Sequence, residues 1–238
     1  MPRASTVEPS ALGLQRVQLL AEVPLPALEA LARTCRWRRA PAGEQVIARD
    51  AADRDVYLIV AGQVRVTAFS AAGRQVDYRD LKAGDWFGDF AALDGLARSA
   101  SVVALADTLV AALPPAAFRR LLHDHPDACD RVLARLVAVV RELTDRVFDF
   151  STLGVQNRVH AELLRLAREA GVERNAARLD PAPRHADLAA RVSTYREQVT
   201  RELSALRKRG LIRRSGSALL VPDVARLEQI VNAVRRSV

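Results

Sequence analysis

The hydrophobic pattern changes period twice along the chain. Residues 8–34, EPSALGLQRVQLLAEVPLPALEALART, carry apolar positions at helical spacing around proline breaks and predict short helices. From Val46 the period falls to two. In DVYLIVAGQVRVTAF, Val56, Leu58 and Val60 share one face, Gly62 turns, and Val64, Val66 and Ala68 follow. That alternation predicts an antiparallel hairpin. Ser70-Ala71-Ala72-Gly73 predicts a second turn, QVDYRDL a further strand and KAGDWFGD turn chemistry. SVVALADTLVAALP adds two strands around Ala106-Asp107. Several short strands at this spacing predict a small β-barrel or sandwich.

The pattern then becomes helical. Leu133, Leu136, Val140, Leu143, Val147 and Phe150 recur three and four residues apart, flanked by Arg131, Arg135, Arg141, Glu142, Asp145, Arg146 and Asp149. A narrow apolar seam edged by charge fits a dimer coiled coil, through the helix around 127–152, better than burial within one domain. Ser151-Thr152-Leu153-Gly154 interrupts this helix and another begins near Val155, which sets expected domains at 1–152 and 153–238. NAARLDPAPRH (175–185) reads as a loop. HADLAARV and YREQVTRELSALRKRG then read as a helix-turn-helix. Leu188, Val192, Val199, Leu203 and Leu206 point inward, Ser193-Thr194 can turn and cap, and Gly210 is the stop. LIRRSGSALLV (211–221) reads as a hairpin wing, and VARLEQIVNAV (224–234) as a further amphipathic helix that packs or adds a contact.

Charge sharpens this division. Of the 238 residues, 1–152 hold nineteen basic and nineteen acidic side chains, whereas 153–238 hold seventeen basic and nine acidic. The whole net charge of +8 therefore sits in the last third. A neutral segment joined to a basic one suggests a nucleic-acid-binding module on a regulatory or assembly module, and the helix-turn-helix makes double-stranded DNA the expected partner. Arg196, Glu197, Gln198 and Arg201 lie near the start of the second helix, where a recognition helix meets base edges. Arginine can pair with guanine O6 and N7, and an acid can accept from cytosine N4. Arg213 and Arg214 on the wing would lie beside phosphates. No apolar run could span a bilayer, and the start of the chain lacks a signal-peptide core, so a cytoplasmic protein without a membrane partner is expected. Cys35 and Cys129 are isolated, which argues against disulfides, zinc fingers and iron–sulfur clusters. His123-Asp124-His125 falls where capping residues belong at a helix start and reads as polar capping, not a metal site. No paired carboxylates or nucleophile–base set suggests an enzyme.

The stretch FGDFAALDGLARSAS (87–101) offers specific chemistry. A turn at Gly88 followed by Asp89-Phe90-Ala91 would present backbone N–H groups to an anion. Arg98 can give a phosphate a charge-assisted bond, Ser99-Ala100 can add a hydroxyl and N–H, and Asp89 can accept from a sugar hydroxyl. On chemistry alone a buried Arg98–Asp89 ion pair explains the stretch as well.

The order of parts resembles the cyclic-AMP receptor (Crp/Fnr) family of bacterial transcription regulators. The likeness rests on GQVRV after DVYLIV, on FGDFAALDGLARSAS and on TYREQVTREL, and spans about Ala40 to Val221. It implies an α+β fold: an N-terminal antiparallel β-barrel (a cyclic-nucleotide-binding jelly roll), a long dimerisation helix and a C-terminal winged helix-turn-helix. By resemblance, Gly88 and Asp89 match the Gly-Glu that reaches the ribose, and Arg98 and Ser99 match the Arg-Ser that holds the cyclic phosphate. Thr144 matches one of two base-contacting hydroxyl residues. Arg196, Glu197 and Arg201 match the trio that reads a TGTGA-like half-site. Asp89 stands in place of Glu, and Leu143 in place of the other hydroxyl residue. The implied effector is a cyclic nucleotide, cyclic AMP first and cyclic GMP next, acting on a homodimer with RNA polymerase as a further family partner. The alternative is a ligand-independent or differently gated regulator that keeps the stretch only as scaffold. The cysteine cluster of oxygen-sensing members is absent, and the four histidines (His123, His125, His160 and His185) lie outside the expected strands, so neither an iron–sulfur cluster nor haem is expected.

Overall fold

A computed structural model describes residues 9–70 and 75–236. Positions 71–73 of the turn expected after Ser70, and the first eight residues, lie outside the described residues. The chain divides into two compact units, Met1–Val139 and Val140–Val238.

The first unit opens with helices α1 (Ala11–Gln15) and α2 (Leu25–Thr34). Strands β1 (Arg36–Ala40), β2 (Gln45–Ile47), β3 (Val56–Ala61), β4 (Gln63–Phe69), β5 (Gln75–Lys82) and β6 (Trp86–Phe87) follow. The short helix α3 (Asp89–Asp94) precedes β7 (Ser101–Ala104) and β8 (Thr108–Leu113). Helix α4 (Pro115–Asp124) leads into α5 (Pro126–Thr152), which begins in this unit. The strands form two antiparallel sheets, ordered β1-β8-β3-β6 and β2-β7-β4-β5. This is the expected antiparallel jelly roll, but not by the expected pairing. β3 and β4 lie in different sheets, so DVYLIVAGQVRVTAF is a crossing between sheets and not a hairpin. Gly62 makes the crossing at φ +90, where an added Cβ would lie 2.5 Å from the Asp107 carbonyl oxygen. Only glycine tolerates that combination of left-handed backbone and close approach.

The period-two pattern of β3 serves two cores at once. Tyr57 and Ile59 face the space between the sheets, with Val64, Leu81, Phe87, Val102, Val110 and Ala112. Val56 and Leu58 face outward and are covered by Leu14, Leu20, Leu28, Phe118 and Val132 from the helices. Val60 packs on the same outer face, as its alternation requires. Each wholly buried side chain of this size contributes about 1.5–3 kcal/mol.

The second unit contains α6 (Val155–Ala170), β9 (Val172–Glu173), β10 (Ala176–Leu179), α7 (His185–Arg191), α8 (Arg196–Lys208), β11 (Arg213–Ser215), β12 (Ala218–Val221) and α9 (Val224–Arg236). The wing hairpin forms as expected, with Arg213 opposite Leu220. The expected loop 175–185 is partly strand. Ala177 and Leu179 pair with Val221 and Leu219, which extends the wing into a sheet ordered β11-β12-β10-β9. Leu188, Val192, Val199, Leu203 and Leu206 enter this unit's core as their spacing predicts. α9 contributes Val224, Leu227 and Val231 to the same core, so it is a packing helix. Its Arg235 holds Asp149, near the end of α5, through Nε at 2.9 Å and Nη2 at 2.6 Å.

The seam of α5 is left open to solvent along most of its length. Val140 and Val147 are 62% and 64% exposed, and Leu133, Leu143 and Phe150 are also exposed. Leu136 instead packs against the first unit's core. Parts of the charged flank are engaged within their own unit: Arg131 pairs with Glu22 at 2.7 Å, and Arg135 lies over the Trp86 ring at 4.1 Å.

His160, on α6, is 2% exposed, and its Nδ1 lacks a partner among the described residues. Burial, reinforced by Arg209, pushes its pKa down to about 4. Below about pH 6.5 the unfolded chain takes up this proton while the native state does not. Stability should therefore fall as pH drops from about 6.5 to about 4, by roughly 3 kcal/mol from this group. Urea unfolding of the second unit's core should show that loss, and His160→Leu should reduce it.

Candidate phosphate cradle and nucleic-acid interface

The stretch 87–101 closes around one buried arginine. Strand β6 lies beside β3, with Phe87 opposite Tyr57 and their rings stacked at 5.0 Å. Gly88 follows in the left-handed region at φ +87 and caps α3. An added Cβ there would lie 2.7 Å from both Arg98 Nη1 and the Asp55 carbonyl oxygen. Segment 50–55 clasps the Arg98 backbone: its N–H donates to the Ala51 carbonyl at 3.1 Å, and its carbonyl accepts from the Asp50 N–H at 2.9 Å.

The Arg98 side chain is 3% exposed. Its Nη1 donates to the Gly88 carbonyl at 2.9 Å, and Nη2 to the Asp55 carbonyl at 2.7 Å. Nε donates to Asp53 Oδ1 at 3.1 Å, and Nη2 also pairs with that carboxylate. The ion pair allowed by residue chemistry thus exists, but its acid is Asp53 and not Asp89. Asp89 is itself buried, and its Oδ2 accepts from the Trp86 indole at 3.2 Å. The Arg135 guanidinium covers a face of that indole. Burial pushes Arg135 below its ordinary value, and the Asp89 charge opposes the shift.

Gly88, Asp89 and Arg98 are thus gathered at one place. Ala91 turns into the core, Phe90 is 38% exposed, Ser99 is exposed and Ala100 is half-buried. Thr144 lies on the part of α5 belonging to the second unit, exposed, with its hydroxyl donating to the Val140 carbonyl at 2.9 Å. His123 and His125 close α4, one residue before α5 begins. Among the described residues no cluster of three His, Cys, Asp or Glu side chains could hold a metal ion.

In the second unit, the α7–α8 turn forms through Ser193 at φ 52 and a bond from the Thr194 N–H to the Ala189 carbonyl at 2.9 Å. Ser193-Thr194 turns but does not cap. Tyr195 is the N-cap of α8, with no side-chain capping bond. Arg196, Glu197 and Arg201 are exposed and Gln198 is half-buried. Gln198 donates to Glu202 at 3.1 Å and accepts from Arg201. Arg213 and Arg214 are exposed on the wing. The positive field registers on His185: burial, then Arg196, Arg207 and Arg214, lower its pKa.

Residues 37–125 match the cyclic nucleotide-binding domain family, and residues 157–230 match the Crp-like helix-turn-helix domain. A cyclic AMP receptor protein of Thermus thermophilus is 31% identical over 192 residues, covering 80% of this chain and 85% of its own length. The chain belongs to the Crp/Fnr family of transcription regulators. A CRP-like cAMP-activated global transcriptional regulator of Mycobacterium tuberculosis is 26% identical over 90% of this chain and 96% of its own. Among solved structures, a CooA variant from Carboxydothermus hydrogenoformans shares the fold with a TM-score of 0.77 at 18% identity, covering 96% of this chain and 98% of that one. This Crp/Fnr protein is therefore a DNA-binding transcription regulator with a cyclic-nucleotide-binding domain, and not an enzyme. None of its described helices is long and apolar enough to cross a membrane.

Sequence reasoning passed over Asp53, Asp55, Tyr57, Trp86 and Arg135. The signal available was the acid pair in DRDVYLIV, directly before a strand. Nothing local says that the start of β3 lies against residue 98.

Gly88→Ala should act on the cradle. Positive φ and a 2.7 Å approach to a backbone oxygen require β6 or Arg98 to shift. A cost of about 2 kcal/mol is expected. Thermal unfolding should register it, and the near-ultraviolet signal of the Tyr57–Phe87–Trp86 group should change with it.

Proposed function

We propose that the chain is a homodimeric regulator whose DNA affinity is set by a cyclic nucleotide, cyclic AMP first and cyclic GMP second. The observation that carries this reading is the preformed Arg98 cradle, a buried guanidinium beside a left-handed glycine and an exposed serine. Such a group suits a cyclic phosphate, with Ser99 as a second donor. Asp89 and Phe90 would face the ribose side, and Thr144 would supply a hydroxyl to the base. The exposed seam of α5 supports a dimer, since apolar side chains repeated three and four apart on one helix are normally covered. Two α8 helices in that dimer would enter successive major grooves, about 34 Å apart, and read a TGTGA-like palindrome. The effector would shift the population between two dimer arrangements. Engagement of Arg98 by Asp53 favours a second reading, a differently gated regulator in which the cradle is scaffold.

Isothermal titration with cyclic AMP and cyclic GMP separates the two. Binding is expected for the native chain and its loss for Arg98→Ala. Heat exchange unchanged by Arg98→Ala would leave only the scaffold reading. For DNA, Arg196→Ala or Arg201→Ala should each cost about 1–3 kcal/mol and relax specificity at one base pair. Arg213→Ala should weaken all sequences evenly and reduce the salt slope by about one. Gel shifts over a panel of half-site variants and salt concentrations measure both.

A further inference from the structure

We infer that Asp53 is a built-in competitor for the anion and sets the effector concentration to which the regulator responds. The inference rests on the reading of Arg98 as the phosphate ligand. A guanidinium has five N–H donors in a fixed plane. In Arg98, Nε and one hydrogen of Nη2 serve the Asp53 carboxylate. The second Nη2 hydrogen serves Asp55, and one Nη1 hydrogen serves Gly88. One donor remains. The Nε–Nη2 edge, which could grip two oxygens of one phosphate, is taken by a carboxylate of the same charge sign as the ligand.

The three acceptors are not equally fixed. The Gly88 and Asp55 carbonyls are backbone groups held next to β6 and β3. Asp53 stands on the irregular segment before β3, and its side chain is 42% exposed. Rotation of one side chain would release the edge without disturbing a strand. The exchange leaves no charge of Arg98 uncompensated, because the phosphate takes the edge that Asp53 gives up. A phosphate entering the cradle therefore either displaces Asp53 or binds beside it against repulsion. Both routes lower affinity, and both do so equally for any base, because the competition is for the guanidinium, which would meet the phosphate that the nucleotides share.

The opposite possibility is that Asp53 positions Arg98 for the ligand, and the sign of one measurement decides. The full chain, Asp53→Asn and Asp53→Ala are titrated calorimetrically with cyclic AMP and cyclic GMP. Melting temperatures are followed with inorganic phosphate, and circular dichroism checks the fold of each variant. Both variants should bind each nucleotide on the order of tenfold more tightly. Phosphate should raise their melting temperatures more than that of the native chain. Unchanged or weaker nucleotide binding in both variants overturns the inference and leaves the cyclic-nucleotide reading intact. Larger phosphate stabilisation of the variants, with no nucleotide binding by any form, upholds the competition and removes the cyclic-nucleotide reading. No response to either ligand in folded variants removes both.

Discussion

The buried guanidinium of Arg98 is the constraint around which one end of the first unit is organised. A charge this far from water survives only with its donors satisfied. Two backbone carbonyls and one carboxylate take four of its five donors, and each acceptor imposes a condition on a different part of the chain. The end of β6 must turn through a left-handed residue so that the Gly88 carbonyl points inward. The segment before β3 must wrap the arginine's backbone, which brings Asp53 and Asp55 into reach. The Tyr57 and Phe87 rings wall the site, with the guanidinium carbon 5.7 Å from the Tyr57 centroid. The two backbone acceptors hold the guanidinium in place before a ligand arrives, so an exchange of acceptors at the Nε–Nη2 edge involves the Asp53 side chain and no strand.

The second organising feature is the division of labour along α5. Its apolar seam remains exposed while parts of its flanks are tied inward, Arg131 to Glu22 in one unit and Asp149 to Arg235 in the other. One amphipathic pattern thus carries two kinds of contact. Ala128, Val132 and Leu136 pack into the first unit's core beside these ion pairs, while the seam residues Val140, Leu143 and Val147 stay exposed. Helix α8 follows a similar logic. Val199, Leu203 and Leu206 bury one face of α8, which leaves Arg196, Glu197 and Arg201 no direction but outward.

Helices were legible in the sequence because their determinants are local. The i, i+3 and i+4 spacing named the core positions of α7 and α8 correctly, and Gly210 marks the stop. Strand positions were also legible, down to Val56, Leu58 and Val60 sharing a face. Strand partners were not. The period-two signal in DVYLIVAGQVRVTAF is the same whether the two strands pair with each other or enter separate sheets, and Gly62 serves either turn. The strand Ala176–Leu179 was passed over because its partners, Leu219 to Val221, lie some forty residues on. An Ala-Arg-Leu alternation between prolines and glycines is a weak signal until that partner is present. The candidate site divides along the same line. Arg98, Gly88 and Asp89 could be named from one short stretch, but the acid that meets Arg98 could not.

By itself, then, the sequence determined which residue types stand where and which local periods they follow. That was enough for the α+β class, the basic last third, the buried faces of its helices and an arginine suited to phosphate. Only the tertiary structure decided what each polar group meets. It paired Arg98 with Asp53, gave Asp89 to the Trp86 indole, and sent β3 and β4 into different sheets. The physical reason is one of range. Propensity and periodicity act over a few residues and leave their trace in neighbouring letters. Ion pairs and strand ladders join groups distant in the chain, and are settled only when a shared core forces those segments together.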